Sequence, residues 1–459
     1  MTELEAQTIY RAGETATVSA LVSLSAEAEG YRRRLALAQD HPATPSAMKP
    51  VYAKPAANRR GAKVGRKKGH AGARRPPPEA ITRTVEHALQ RCPHCAHDLA
   101  APCDSRSRYT EDIPPVRPEV TEHVIHRYWC GTCKRIVEPV IATALPKSTL
   151  GLRTVVYTAW LHYCLGLTLD KIVALLNVSA HFKITAGGLC HAWRNLAAVL
   201  QPAYDQIGGC ARASAVLHGD ETGWRVNGKT HWLWCFTNTD LAYFVIDRCR
   251  GSPVVLKILG ELFSGVLITD FFGAYNRIAA LAKQKCLAHL LRELAKVDVL
   301  DSTPAWRFFR RKLKRLLKDA FRLASQRDAF SPAQLARKKS RFLVRLMELC
   351  AFPHANRHAR RLSRRLLRYQ NELFTFLDHP QVPPDNNHAE RQIRPAVIMR
   401  KNSYCNRSRQ GADAQALLMS VFRTLQLRGL HPVQTVIAMV EKQLQSGQPS
   451  VLPSRASIG

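Results

Sequence analysis

Residues 215–222 read Ala-Val-Leu-His-Gly-Asp-Glu-Thr, a short apolar run that ends in two acids, and the residues after it make that run the first strand of a sheet. Trp224-Arg-Val226 and His231-Trp-Leu-Trp-Cys-Phe236 flank Asn227-Gly228, a pair that tolerates the positive φ a tight hairpin demands. Leu241–Ile246 predicts a third strand and Pro253–Leu262 a helix. Gly265–Thr269 predicts a fourth strand that stops at Asp270, and Lys285–Ala288 a short fifth strand ahead of a helix over His289–Val297. Three antiparallel strands are therefore followed by a crossover and two further strands.

That order is the order of a ribonuclease-H-like α/β core. In such a core the first and fourth strands are neighbours, so Asp220 and Asp270 end side by side. Two carboxylates at adjacent strand ends are what a magnesium pair needs. Glu221 alternates to the opposite strand face and reads as structural, while Glu293 and Asp247 read as surface or pairing acids. A third carboxylate is expected from a helix beyond the fifth strand. Pro384-Asp-Asn-Asn-His-Ala-Glu390-Arg-Gln-Ile-Arg-Pro395 supplies one: Asp385 or Asn386 caps a helix whose first turns hold Glu390, with Arg391 and Arg394 nearly on one face.

The residues between the fifth strand and Glu390 interrupt this core with basic helices. Arg307–Arg368 carries 20 Lys/Arg against 3 Asp/Glu, about half of the chain's net charge of +33. Arg307, Arg311 and Arg315 recur at i,i+4, as do Arg357, Arg361 and Arg365 and, in a second row, Arg360, Arg364 and Arg368, while Phe309, Leu313 and Leu316 face elsewhere. A solvated face alternates sign; this one does not, which points to a DNA backbone beside the site. Arg391 to Arg409 adds six more cations without an acid, among them Arg394, Arg400 and Lys401. A chain of 459 residues with a pI near 10.1 and only 22% charged residues folds over most of its length and seeks a polyanion.

Upstream, Lys54–Arg75 holds nine Lys/Arg and no acid among glycines and is closed by Pro76-Pro-Pro78, so it reads as a flexible basic arm with Arg66, Lys67 and Lys68 as phosphate contacts. Cys92-Pro-His-Cys95 and Cys130-Gly-Thr-Cys133 form two CxxC knuckles, a closed four-thiolate set for structural Zn2+, with Cys103 or His94 as a possible substitute ligand. Their 34-residue separation exceeds that of a compact ribbon and implies an insertion. Residues 151–207 turn helical and resemble a helix-turn-helix, an ordinary helical subdomain fitting the pattern equally. Thirteen scattered cysteines, the absence of a secretory segment and no apolar run of about 20 residues point to a reducing cytoplasm and no membrane anchor.

The motifs resemble the DDE transposases of the insertion sequence 66 family. The family's Asp-Glu-Thr motif is similar to Asp220-Glu221-Thr222, its second Asp block to Thr269-Asp270-Phe-Phe-Gly-Ala-Tyr275 and its Cys-x-x-His block to Cys286-Leu-Ala-His289. Its last block is similar to Asn386-Asn387-His-Ala-Glu390-Arg391-Gln-Ile-Arg394-Pro395 with Arg400-Lys401-Asn402-Ser403. Phe271-Phe272 stands where the family usually has Gly-Tyr, and Cys405 where Gly is common. The resemblance implies an enzyme whose Asp220, Asp270 and Glu390 hold two Mg2+, with Mn2+ able to substitute, and which cuts at element ends and joins the freed 3′-OH to target DNA. His289 and Arg292 are then auxiliary phosphate-positioning residues. A homodimer or higher assembly, accessory proteins of the same element and a cytoplasmic, nucleoid-associated location are further expectations. The competing readings are a zinc-containing DNA-binding regulator without catalysis and a ribonuclease-H-like nuclease that hydrolyses without joining.

The expected division is an N-terminal helix (1–53), the arm (54–80), the zinc-finger module (81–146) and the helical region (147–212). The first part of the core (213–298), the basic insertion (299–383), the last part of the core with Glu390 (384–428) and a C-terminal helix and tail (429–459) follow.

Overall fold

A computed structural model describes residues 3–25, 78–113, 117–351 and 353–455. The basic arm through residue 77, with Arg66, Lys67 and Lys68, lies outside the described residues. Two helices, α1 (Glu3–Arg11) and α2 (14–25), open the chain, and a hairpin of β1 (Tyr128–Cys130) and β2 (Arg135–Val137) carries the second CxxC pair. Helices α3 (Leu152–Tyr163), α4 (Leu169–Ser179), α5 (Ala186–Val199) and α6 (Gln201–Arg212) lead into β3 (Val216–Val226), β4 (Lys229–Thr237) and β5 (Ala242–Asp247). Then come α7 (Ser252–Leu259), β6 (Leu262–Thr269), β7 (Ala279–Lys285) and α8 (Leu287–Leu300). The inserted helices are α9 (Pro304–Ser325), α10 (Pro332–Ala351) and α11 (Arg357–Arg368); α12 (Asn387–Ser403), α13 (Arg409–Leu427) and α14 (Pro432–Ser446) complete the chain.

The five-stranded sheet has the order β5-β4-β3-β6-β7, with β3, β4 and β5 antiparallel and β3, β6 and β7 parallel. Asn227 (φ 49°) and Gly228 (φ 71°) make the β3–β4 turn, asparagine tolerating and glycine, without a Cβ, freely adopting the positive φ it demands. Gly265 answers a different demand: a Cβ there would lie 2.2 Å from the Ser214 carbonyl oxygen, so only glycine lets β6 enter beside β3. The amide of Val266 then donates to the Ala215 carbonyl at 2.8 Å.

Three elements differ from the sequence expectation. Strand β3 runs on to Val226, so Asp220 lies inside the strand, opposite Cys235 of β4, and not at its end, because pairing with β4 extends the strand through the acids. The fifth strand is Ala279–Lys285, not Lys285–Ala288, and Cys286 is already the N-cap of α8. Ala279-Ala-Leu-Ala-Lys-Gln-Lys285 lacks β-branched residues and pairs only with β6, so tertiary pairing overrides its low strand propensity. Helix α7 stops at Leu259 because Gly260 takes φ 84°, which releases Leu262 to start β6.

The helices α3–α6 share one hydrophobic core with the sheet and with α12–α14, through Val155, Trp193, Ile207, Leu217, Phe236 and Phe422. Trp193 Nε1 donates to Thr158 Oγ1 at 3.1 Å inside it. A second cluster, with Trp306, Phe309, Leu346, Leu362 and Phe376, gathers the insertion and reaches the sheet at Val266 and Ile268, whereas Leu267 between them belongs to the first. No helix among the described residues is long and apolar enough to cross a membrane.

Candidate active site

The register of β3 and β6 fixes the acid pair. Val216, Leu217 and His218 stand opposite Val266, Leu267 and Ile268, and two residues further along each strand are Asp220 and Asp270. Both are partly buried. The Asp220 carboxylate accepts the Glu221 amide at 3.0 Å, and Asp270 Oδ1 accepts the Phe272 amide at 2.8 Å. Among the described residues no cation forms an ion pair with either. Burial, with the charges of Glu221, Asp270 and Glu390 added, pushes the Asp220 carboxyl well above the usual carboxylate range. Asp220 thus feels the charge of both Asp270 and Glu390, and the absence of a paired cation at Asp220 and Asp270 among the described residues suits a divalent cation.

Glu390 reaches this place because Asn386 fastens the start of α12 to β3. Asn386 is fully buried; its Nδ2 donates to the Gly219 carbonyl at 2.8 Å, and its Oδ1 accepts from His218 Nδ1 at 2.9 Å. That pairing assigns the Nδ1–H tautomer to His218, whose burial pushes its pKa down to about 4. The Asn386 amide donates to Cys286 Sγ at 3.1 Å, and the Leu287 amide donates to the Pro384 carbonyl at 3.0 Å. Asn386 therefore does not cap the helix with its side chain; Asp385 Oδ1 accepts the Asn387 amide at 3.0 Å instead.

Beside Glu390 the structure gathers His289 and Arg292 of α8. Arg292 Nη2 donates to Glu390 Oε1 at 2.6 Å and to Asn387 Oδ1 at 3.2 Å, and His289 Nε2 lies 3.7 Å from Glu390 Oε1. Cys286, His289 and Glu390 bring their ligand atoms within 4.8 Å of one another, the one such group among the described residues. His289 Nδ1 is buried without a hydrogen-bond partner. Burial lowers the His289 pKa and raises the Cys286 thiol to about 12.

The two CxxC pairs are built alike. Ala96 and Lys134, the residues after the second cysteine of each, take φ 58° and 49°. The Ala96 amide donates to the Cys92 carbonyl at 2.9 Å, and the Cys133 amide donates to Cys130 Sγ at 3.4 Å. Amide hydrogen bonds from His94 and Cys95 lower the Cys92 pKa, and one from Cys133 lowers that of Cys130, which favours the thiolates that a zinc ion takes. The two pairs do not converge into a single four-sulfur group within 4.8 Å among the described residues. His94, Cys103 and most of this segment are exposed.

Residues 147–414, more than half of the chain, match the family model described as "Transposase IS66 family". The chain belongs to this family. Residues 90–134, which enclose both CxxC pairs, match a second model, "zinc-finger binding domain of transposase IS66". Three uncharacterised proteins of Sinorhizobium fredii are similar. The protein y4qI is 28% identical over 244 residues, which is 45% of this chain and 43% of the relative. The protein y4jD is 22% identical over 80% of this chain and 77% of its own length, and y4hP 23% identical over 78% and 72%. The chain thus spans less than half the length of y4qI and most of the other two.

Within the transposase domain the basic residues divide into two groups. Arg391, Arg394 and Lys401 of α12 and Arg311 and Arg315 of α9 are exposed. Arg400 instead turns inward, and its Nη1 donates to Thr222 Oγ1 at 3.1 Å and to the Gly223 carbonyl. Arg361 and Arg365 turn inward as well: both pair with buried Glu293, Arg361 Nη2 at 2.6 Å from Oε1. Burial alone would raise the Glu293 pKa, but Arg365 and Arg361 outweigh it and hold it below the usual range. The sequence assigns these three arginines to DNA; in the structure each has a protein partner, and Arg361 and Arg365 also line an open cavity.

A polar layer beneath the acids escaped sequence reading. Arg250 Nη2 donates to Glu221 Oε1 at 2.9 Å, Tyr275 donates its hydroxyl to Glu221 Oε2 at 3.0 Å, and burial pushes Glu221 up to about 7. Phe272 lies 4.1 Å from the Arg250 guanidinium, so the aromatic pair that replaces Gly-Tyr serves as packing for cations. Lys285, fully buried, donates to Thr269 Oγ1 at 3.0 Å and stands 3.8 Å from Glu372; burial lowers it to about 8. Only the order Thr269-Asp270 at a strand end and Lys285 at the next strand end could have hinted at this contact.

Proposed function

We propose that this transposase uses a ribonuclease-H-like core in which Asp220, Asp270 and Glu390 form one DDE site for DNA cleavage and strand transfer. The observation that carries the reading is the register of β3 and β6, which sets Asp220 inside β3 level with Asp270 just past the end of β6, with Asn386 tying the helix of Glu390 to Gly219 next to Asp220. Their accumulated negative charge suits two Mg2+ ions, or Mn2+ in their place, held by these three side chains. When bound, such ions activate an attacking oxygen and stabilise a leaving one.

The reaction breaks a P–O bond at the element end as water attacks, freeing a 3′-OH. That hydroxyl then attacks a target phosphodiester, which exchanges one P–O bond for another. The residues of the chain hold the parts in place. Asn386 and His218 fix the approach of α12, Asp385 caps it, and Arg292 holds the Glu390 carboxylate. Lys285 and the Glu221–Arg250–Tyr275 layer set the charge behind the acids. Arg391, Arg394, Lys401, Arg311 and Arg315 are exposed cations for the DNA backbone. Structural Zn2+ taken up by the two CxxC pairs would draw them together and stabilise a segment with little core of its own. DNA of the element ends and target is the partner, in the cytoplasm at the nucleoid. Bringing two ends together calls for a homodimer or higher assembly, with accessory proteins of the element as further partners.

A strand-transfer assay with labelled element-end DNA, a plasmid target and Mg2+ or Mn2+, run beside Asp270→Asn, tests the reading. Joined product that disappears in the variant is expected. Hydrolysis without joining would point to a nuclease, and tight DNA binding without any product to a regulator.

A further inference from the structure

A cavity of about 800 Å³ opens between helix α11 and the loop that follows β6, whose Phe271, the residue after Asp270, forms part of its wall. Both arginine rows of α11, Arg357, Arg361 and Arg365 as well as Arg360, Arg364 and Arg368, line it beside Phe271 and Tyr369, with no carboxylate among the described residues of its wall. Arg364 and Arg368 are exposed and form no ion pair among the described residues. Arg361 and Arg365, which also reach the cavity wall, share the single carboxylate of Glu293 and keep a net positive charge, while Arg364 and Arg368 beside them face no acid among the described residues.

The aromatic floor decides what kind of anion fits. Phe271 carries the Arg365 guanidinium 4.8 Å from its ring centre and meets Tyr369 edge-on at 5.6 Å. Arg368 lies 5.5 Å from the Tyr369 ring and Lys285 5.0 Å. Cations already occupy these rings, so they are not platforms for stacked bases; they orient guanidinium planes. Phosphate is the chemistry that such a cleft takes, because planar guanidinium groups match phosphate oxygens in pairs.

Position relative to the acids adds direction. Helix α12, with exposed Arg394 and Lys401, packs on β3 and β4, whereas the cavity lies past the end of β6. Asp220 belongs to β3, against which α12 packs, and Asp270 directly precedes Phe271 of the cavity wall. We propose that the α11 cavity is a phosphate track for the DNA backbone on the far side of the scissile position from α12, so that one strand runs from α12 across the acids into the cavity. This rests on the DNA reaction proposed above.

The test uses the full chain, a generic duplex and the salt dependence of binding, since phosphate contacts are blind to sequence. Each lost contact lowers the slope of log K against log salt by about 0.9. Arg364→Gln/Arg368→Gln is expected to lower it by about 2 with an unchanged melting temperature, and Arg364→Lys/Arg368→Lys to restore most of it. Arg394→Gln/Lys401→Gln should lower it independently. The two losses should add on a long duplex and stop adding on one too short to reach both faces. An unchanged slope in Arg364→Gln/Arg368→Gln overturns the track, as does full additivity on the short duplex. A weakened affinity for pyrophosphate without any loss for DNA makes the cavity a small-anion site and also overturns it. A wild-type protein that fails to join DNA but shows the slope change would remove the DDE reading and leave the track standing.

Discussion

Asn386→Ala is the substitution that tests most directly how the site is assembled. It strips a fully buried side chain from between two buried groups, the His218 Nδ1–H and the Gly219 carbonyl. Each orphaned group costs about 1–3 kcal/mol, so the pair costs about 4 kcal/mol before any relaxation. For a core of this size each kcal/mol moves the melting temperature by roughly 2–4 °C, giving a fall on the order of 10 °C. The assay is thermal unfolding of the full chain by circular dichroism, repeated for His218→Leu and for the double variant. Removing either partner leaves the other unsatisfied, so the double variant should be less destabilised than the sum by about 0.5–3 kcal/mol. Because the same contact sets α12 against β3, cleavage should fall about 100-fold, as expected for a displacement near 1 Å, while DNA affinity holds. Strict additivity with His218→Leu, or a melting temperature within a degree or two of wild type, refutes the claim that Asn386 fastens Glu390 to the strand of Asp220.

Four further outcomes follow from the same contacts. Asp220→Asn removes a buried charge crowded by three acids and should raise the melting temperature of metal-free protein at neutral pH, while erasing the stabilisation that Mg2+ gives wild type. Glu221, folded at about 7 against 4.5, keeps its proton longer than the unfolded chain does, so stability drains as pH rises across that interval. Glu221→Gln should flatten the melting-temperature profile there. His218 acts in the opposite sense: folded at about 4 against 6.5, it loses stability as pH falls through that window, about 3 kcal/mol in all, and His218→Leu should flatten the acid side. Cys405 sits at φ 70° next to Tyr404 at φ 55°, so Cys405→Gly should relieve about 1 kcal/mol of strain and leave denaturant unfolding no easier than in wild type.

What the chain disclosed before its structure was its short-range chemistry. Asn227-Gly228 announced the hairpin because backbone sterics act within two residues, and the apolar run ahead of Asp220 announced β3 for the same reason. The fifth strand was misplaced since Ala279–Lys285 owes its conformation to β6, a partner that local propensity does not see. The arginines of α11 show the limit most sharply. Their i,i+4 rows are visible in the sequence, and a row of like charges implies a polyanion. Yet one of the two rows, Arg361 and Arg365, is matched by Glu293, about 70 residues earlier in the chain. Periodicity tells which residues share a face but not which charge waits opposite, and a single buried carboxylate offsets part of the charge of two cations. The same logic separates Arg400, turned into β3 by Thr222 and Gly223, from its exposed neighbour Lys401. For a protein this basic, the cations that remain after every internal acid has been matched are the informative ones, and here they include Arg394 and Lys401 of α12 and Arg364 and Arg368 of α11.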